Sequence, residues 1–320
     1  MKCIVTGAGG FIGSHLTEAL LDEGHTVIAL DRFTPGKRDN LSTVRDHEKC
    51  TIVKKNICND LANIFGSGDI DAVFHMAAMP KVQYSIIHPA ETHDANLNGT
   101  LNVLEACRTF GIKRFIFSSS CAVYGEQNEA PFRESFHPRP ISPYAVHKLV
   151  GEYYATLYFN LYGVETINLR YFNAFGPRQD HRGDYANLFG RFITRIARGE
   201  QPVINGDGRN TRDYVHVSDI VRANILAAQT TSGACFGQVI NIGSGRALSV
   251  NDIYNHIMSV HPERVEPVYG PAVVEIKHAV ADISKAGSLL GWAPQKNFDE
   301  GLKETYDYFI TLPQSTAQPA

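Results

Sequence analysis

Tyr144 and Lys148 stand four residues apart in "SPYAVHKLVGEYY", a spacing that puts both on one face of a helix. A tyrosine with a pKa of about 10 is a poor base at neutral pH, but a lysine cation one turn away, together with a positive nicotinamide ring, would favour the phenolate. Such a pair can take and return the proton of a hydroxyl group. Alone, the spacing describes a solvated helix face equally well. Upstream, however, "RFIFSSSCAVYG" ends an apolar run in three serines, which places hydroxyls at a strand end where they can share that proton. A second constellation could hold a dinucleotide. "TGAGGFIGSHL" carries Gly7, Gly10 and Gly13 between the first apolar run and the first helical one. The first glycine suits a tight turn, the second lets backbone approach a pyrophosphate, and the third packs helix on strand. Phe11 and Ile12 then open a helix whose N–H groups and dipole face the phosphates. Asp31 ends the next strand, where it can accept both ribose hydroxyls and disfavours a 2′-phosphate; Arg32 beside it pulls the other way, and the balance favours NAD over NADP.

The elements that must position these groups follow from periodicity. "KCIVT" (2–6), "TVIAL" (26–30), "CTIVKKN" (50–56), "DAVFHMA" (71–77), "RFIFSSS" (114–120) and "ETINLRYFN" (165–173) read as strands, and helical stretches ending in glycine lie between several of them. Apolar strands alternating with helices imply right-handed crossovers and a Rossmann-type, doubly wound parallel sheet in an α/β fold. Asn56 and Ile57 come where an adenine edge could meet the chain, and Met76, Ala77 and Ala78 put small groups near a nicotinamide ribose. His75 reads as a structural histidine. Past residue 174, loops rich in Gly, Asn, Asp and Arg replace the alternation, with "QVINIGSG" (238–245) reading as a strand that returns to the main sheet. The expected organisation is a NAD-binding domain over 1–173, with returning elements at about 210–245, and a smaller, mainly substrate-binding α/β part over 174–320.

Bulk properties exclude several classes. A net charge of -3 gives no nucleic-acid or anionic-membrane surface, and no apolar run is long enough to span a bilayer. The six cysteines show no CxxC or zinc spacing, so no metal is expected and reduced core thiols in a cytoplasmic protein are. Met1 leads directly into a strand, which leaves no room for a signal peptide.

The glycine pattern, Asp31, "SSSCAVYG", "YAVHK", "RYFNAFGPRQD" and "GDGRNTRDYVHVSD" occur together in this order. In this the chain resembles the extended short-chain dehydrogenase/reductases, specifically the NAD-dependent nucleotide-sugar 4-epimerases, over nearly its whole length. The resemblance implies Ser120 as the catalytic hydroxyl, Tyr144 as the base and Lys148 as the cation that lowers the base's pKa and binds ribose. It adds Asn96, Ser118, Tyr171 and Phe172 to the cofactor contacts. For a nucleotide sugar it implies Asn173 and Arg212 on the diphosphate, Gln179, Asn187, Leu188, Val203, Ile204 and Asn205 along the nucleotide subsite, and Glu275 as an acid near it. It also implies a homodimer through a four-helix bundle, to which the aromatic and apolar helices beginning near residues 99 and 144 are suited.

Cys121 and Ala122 separate chemistries. Related dehydratases carry an Asp-Glu pair here and related decarboxylases a glutamate at the second position, whereas this chain has no carboxylate at either. Epimerisation at C4 is what remains. Ala272 stands where the family offers an arginine, and Asn56 where it offers an aspartate. Ala279 is small where a tyrosine would close the space beside the sugar's C2, which favours UDP-GlcNAc/UDP-GalNAc with UDP-Glc/UDP-Gal also accepted. Asp180 would repel a sugar carboxylate; Lys81 would attract one, or simply point to solvent. UDP-glucuronic acid is therefore the alternative substrate. A non-catalytic dinucleotide sensor on the same fold is the remote alternative, disfavoured because Ser120, Tyr144 and Lys148 are all present.

Overall fold

A computed structural model describes residues 1–34, 38–181, 187–272 and 276–312. Six strands, β1 (Lys2–Thr6), β2 (Thr26–Asp31), β3 (Cys50–Lys54), β4 (Ala72–His75), β5 (Arg114–Ser120) and β6 (Glu165–Tyr171), follow the apolar runs of the sequence. After β7 (Asn173–Phe175), β8 (Val203–Asn205) and β9 (Thr211–His216) comes β10 (Gln238–Ile242), and then β11 (Ala247–Ser249), β12 (Val268–Gly270) and β13 (His278–Ala279). The main sheet has seven strands in the order β10-β6-β5-β4-β1-β2-β3, all parallel. This is the doubly wound arrangement, with the crevice between β1 and β4 where the order reverses, and ligands of such sheets lie at the carboxyl ends of the strands there.

The helices are α1 (Phe11–Asp22), α2 (Ala62–Phe65), α3 (Val82–Ile87), α4 (Pro89–His93), α5 (Gly99–Thr109), α6 (Pro143–Tyr162), α7 (Leu188–Ile196), α8 (Val217–Gln229), α9 (Val250–Val260), α10 (Ser284–Leu290) and α11 (Phe298–Thr311). One apolar core joins α1, α8 and α10 to one face of the sheet, with Trp292 buried in it; a second joins α2, α5 and α6 to the other. Burial on both faces explains why the strands read as continuous apolar runs.

The run 165–173 departs from its reading as one strand. The chain leaves the sheet at Phe172, whose N–H donates to Ile242 O, and β7 then pairs with β9 in a separate sheet with β11 and β13. That sheet and the β8–β12 pair carry a third core with α7, α9 and α11. Among the described residues no helix is long and apolar enough to cross a membrane, no His/Cys/Asp/Glu group has metal-binding geometry, and all six cysteines are free thiols.

Candidate active site

Local chemistry sets the catalytic helix. Ser142 caps α6 by accepting from Ala145 N at 3.2 Å, Pro143 occupies its first turn, and Gly163 ends it at φ 69°. The N-terminus is also pinned from outside, since Tyr144 N donates to Ser85 Oγ at 3.1 Å. Along this helix Tyr144 and Lys148 point back at the end of β5. Ser120 lies beside the Tyr144 phenol and lowers its pKa, and Lys148 Nζ donates to Ser118 O at 2.5 Å and lies 5.9 Å from the Tyr144 ring centre. The structure thus brings Ser118, Ser120, Tyr144 and Lys148 together.

With the chain's own groups, burial pushes the Tyr144 phenol up to about 12, with only Ser120 opposing it. Burial also pushes Lys148 down to about 7, while the Glu152 carboxylate raises it. Lys148 turns its protons to the Ser118 carbonyl, and the cation expected to act on the phenol with it is the nicotinamide ring.

Cys121 and Ala122 follow Ser120, with no carboxylate at either position. Ser120 also caps the short 3-10 turn Cys121–Tyr124, accepting from Ala122 N at 3.1 Å. Burial raises the Cys121 thiol to about 12, and its Sγ lies 4.0 Å from Asn173 Oδ1. Asp213, the buried acid that influences Cys121, accepts from Ser244 N, Ser244 Oγ, Gly245 N and Ala281 N, so its oxygens are committed to the fold. Arg212 influences the same thiol while Nη1 donates to Thr211 O at 2.9 Å. Ala279 is buried with Val123, Tyr124, Phe132, Leu149 and Phe172 in a small core beneath this turn.

The dinucleotide end has the shape a pyrophosphate needs. Gly7 sits at φ 69°, and a Cβ there would fall 2.7 Å from both Ala77 Cα and Ala77 N. A Cβ on Gly13 would fall 2.1 Å from Gly7 O, so the helix packs against the loop as the third glycine predicts. Gly10, the N-cap of α1, brings no side chain to its first N–H groups. Asp31 is held against this loop, accepting from Gly9 N at 3.0 Å and Phe33 N at 2.7 Å. These features fit a bound NAD.

Other candidates serve the fold as well as the site. Asn96 is buried, with both amide atoms on the Met79 backbone, so it fixes the loop of Met76–Ala78. It lies in a π-helical turn, Asp94–Asn98. Asn56 Oδ1 accepts from Cys58 N, and Ile57 packs where a Cβ on Gly99 would clash. The Tyr171 hydroxyl donates to Asn224 Oδ1. His75 is structural, both ring nitrogens meeting threonine hydroxyls, of Thr6 at 2.8 Å and Thr100 at 2.9 Å. Leu188 and Ile204 pack in the C-terminal core, Asn187 occupies the N-cap position of α7 without a side-chain bond to it, and Val203 and Asn205 pair with β12. Gln179 donates to Ala174 O at 2.7 Å. Glu275 and the tail from residue 313 lie outside the described residues. Lys81 does not simply point to solvent, because its Nζ pairs with Asp180 at 3.0 Å.

Sequence reasoning missed a buried ion pair behind the site. Glu152 receives Arg170 Nε at 2.8 Å and Nη2 at 2.7 Å, and Ser119 Oγ at 2.5 Å. The Arg170 guanidinium lies 4.6 Å from the Tyr124 ring centre, and the Tyr124 hydroxyl donates to Asn241 Oδ1. The available signal was an acid four residues after Lys148 in an otherwise aromatic and apolar helix.

Comparison with known proteins agrees with this geometry. A family model described as "NAD dependent epimerase/dehydratase family" matches residues 3–243. A putative UDP-glucose 4-epimerase of Methanocaldococcus jannaschii is 38% identical over 95% of this chain and 97% of its own. A UDP-N-acetylglucosamine 4-epimerase of Methanobrevibacter ruminantium, solved with UDP-N-acetylmuramic acid, superposes with a TM-score of 0.91 at 39% identity, covering 97% of this chain and 98% of that one. A UDP-glucuronic acid 4-epimerase of Bacillus cereus, solved with UDP-glucuronic acid and NAD, gives 0.90 at 34% identity, covering 97% and 99%.

Proposed function

This chain belongs to the NAD dependent epimerase/dehydratase family, whose cofactor it shares, and we propose that it inverts C4 of a UDP-hexose through a 4-keto sugar. The observation that carries this reading is the cluster at the end of β5. A Ser120–Tyr144 pair with Lys148 behind it is followed by a thiol and a methyl group, where elimination would need a carboxylic acid. A thiol raised to about 12 holds its proton at neutral pH, and a methyl group has none to give.

Gly7, Gly10, Gly13, Asp31, Met76–Ala78 and Lys148 are the groups that would hold NAD. When bound, NAD would supply the acceptor and donor of a hydride for the sugar's C4. Tyr144 accepts the 4-hydroxyl proton, through or beside Ser120, and gives it back after the keto sugar has presented its other face. Burial of this cluster excludes water and makes each nearby charge act at low dielectric, so any cation entering it shifts the phenol downward strongly. Asn173 and Arg212 hold the diphosphate, about which the sugar turns.

By the resemblance, Ala279 stands where a tyrosine would close the space beside C2, hence UDP-GlcNAc/UDP-GalNAc with UDP-Glc/UDP-Gal also turned over. Lys81 is the observation that favours a second reading, UDP-glucuronic acid, but it is paired with Asp180. The test is a panel of UDP-GlcNAc, UDP-Glc and UDP-GlcA followed by NMR, with Tyr144→Phe alongside. Inversion by the wild type, slowed at least about 10²-fold in the variant, is expected; inversion of none of the three refutes the reading. Assembly as a homodimer is part of the same proposal. Val146, Tyr153, Leu157 and Leu161 form an exposed apolar stripe along α6, beside exposed Ile86 and Ile87 of α3. Light scattering that finds only the monomer mass would contradict it.

A further inference from the structure

We propose that Arg178, a residue so far assigned to neither cofactor nor substrate, is a positioning residue that braces the NAD-binding loop. The proposal rests on the shared cofactor and holds whichever sugar is inverted. Its starting point is a backbone conformation. Arg178 has φ 66°, in the left-handed region that is costly for an arginine, and among the described residues other than glycine only Phe33 also has a positive φ. Strain of this kind persists where surrounding contacts hold it. The side-chain hydrogen bonds of Arg178 lead to the dinucleotide end. Nη2 donates to both carboxylate oxygens of Glu18 on α1, at 2.8 and 2.7 Å, and Nη1 donates to Asn40 O at 3.3 Å.

Asn40 carries the brace to the glycine loop. It lies in the 3-10 turn Arg38–Val44, and its Nδ2 donates to Gly9 O at 2.9 Å. Gly9 N donates to Asp31 Oδ2 at 3.0 Å, so both backbone groups of Gly9 are held from outside the loop. Thr43 Oγ1, from the same turn as Asn40, also donates to Glu18. One residue before Arg178, Pro177 O accepts from His15 Nε2 at 2.9 Å, which is a second point on α1. The glycine loop opens into α1, whose first N–H groups are those that would face the phosphates. The segment after β7 therefore ties α1, the turn at Asn40 and Gly9 into one unit, although it is distant from all three in sequence. The Arg178 and Glu18 side chains are only 18% and 22% exposed, so their charge-assisted bonds work largely out of water and are worth more than those of an exposed pair. A guanidinium suits this place because its planar fork holds a carboxylate through one nitrogen and a carbonyl through another.

The test is the rate at which NAD leaves the purified, NAD-loaded protein, read by assaying filtrates for NAD over time. It compares the wild type with Arg178→Asn, Asn40→Ala and the two changes combined. Asparagine is at home at φ 66° and too short to span to Glu18 and Asn40 O, so the variant loses the brace and keeps the turn. NAD release is expected to quicken at least about fivefold, within the scale of a lost charge-assisted hydrogen bond, and a smaller rise overturns the proposal. Glu18→Ala removes the same pair from the helix side with a strong helix former, and the same threshold applies to it. Because the brace acts through Asn40, Arg178→Asn should add no more than about twofold on top of Asn40→Ala; a larger addition overturns the path. General loosening of the fold is separated by Arg114→Met, which breaks another arginine–glutamate pair, with Glu165, at the amino end of β5 and so at the opposite edge of the parallel sheet from the glycine loop. NAD release from that variant should stay within about twofold of wild type, and a rise as large as that of Arg178→Asn overturns the proposal. If the wild type inverts no UDP-sugar, the proposed function fails and this outcome still stands, because it reads NAD alone.

Discussion

Glu152→Gln removes one charge and almost no volume, so it isolates what the buried pair with Arg170 contributes. Both side chains are nearly inaccessible, at 2% and 4% exposure, and the guanidinium reaches the carboxylate through two bonds of 2.8 and 2.7 Å. Arg170 Nη1 is already buried without a partner. With glutamine opposite, the arginine keeps its charge and loses its counter-ion, which in buried pairs costs about 3–5 kcal/mol. Against a total stability of roughly 5–15 kcal/mol, that is a large loss, and a drop in Tm on the order of 5–10 °C is expected. Replacing both partners, with Glu152→Met and Arg170→Met together, should cost less than the single change, because no uncompensated charge remains. The pair also acts on the site. Glu152 holds Ser119 between the two serines that face Lys148 and Tyr144, and its charge raises Lys148. Since Lys148 is useful when protonated, the alkaline limb of kcat/KM should move to lower pH in Glu152→Gln. Scanning calorimetry and a pH–rate profile check both points. A Tm within about 2 °C of wild type, or a double variant less stable than the single one, would refute the reasoning.

Three other outcomes follow from particular contacts. Gly7→Ala forces a side chain into φ 69° and against the Ala77 backbone at 2.7 Å, so NAD affinity, measured by fluorescence titration, should fall at least about tenfold. Ala279→Tyr puts a bulky ring where the resemblance leaves room beside C2 and should lose UDP-GlcNAc turnover selectively while sparing UDP-Glc; equal loss of both contradicts the pocket reading. Burial pushes His75 down to about 3, so between that value and its ordinary range the unfolded chain binds a proton that the folded chain does not. Its contribution is present above about pH 6.5 and is lost as pH falls, at no more than about 1.4 kcal/mol per pH unit, which denaturant midpoints in the wild type and His75→Gln can measure.

The main sheet was legible because both its faces are buried, and strands such as β1 and β5 print that burial as unbroken apolar runs. Gly7, Gly13, Tyr144 and Lys148 were legible because local geometry ties their spacing to a turn or a helix face. The break at Phe172 was not. Its cause is a hydrogen bond to Ile242 and a pairing of β7 with β9, both set by residues distant in sequence. The same holds for Arg170 on Glu152 and for Lys81 on Asp180: periodicity shows which face a residue takes, not which distant charge it meets. The burial of the Tyr144 phenol was not legible for a related reason. Burial of the phenol and the turn of Lys148 towards Ser118 O are properties of the assembled core.

The central claim, that C4 is oxidised and reduced within one site, is tested most directly by running the epimerisation in D₂O and examining C4 of the inverted sugar by NMR. A hydrogen that leaves and returns on the cofactor never exchanges with solvent, so the account predicts protium at C4 in the product. Deuterium at C4 would mean that the hydrogen left as a proton, and would contradict it.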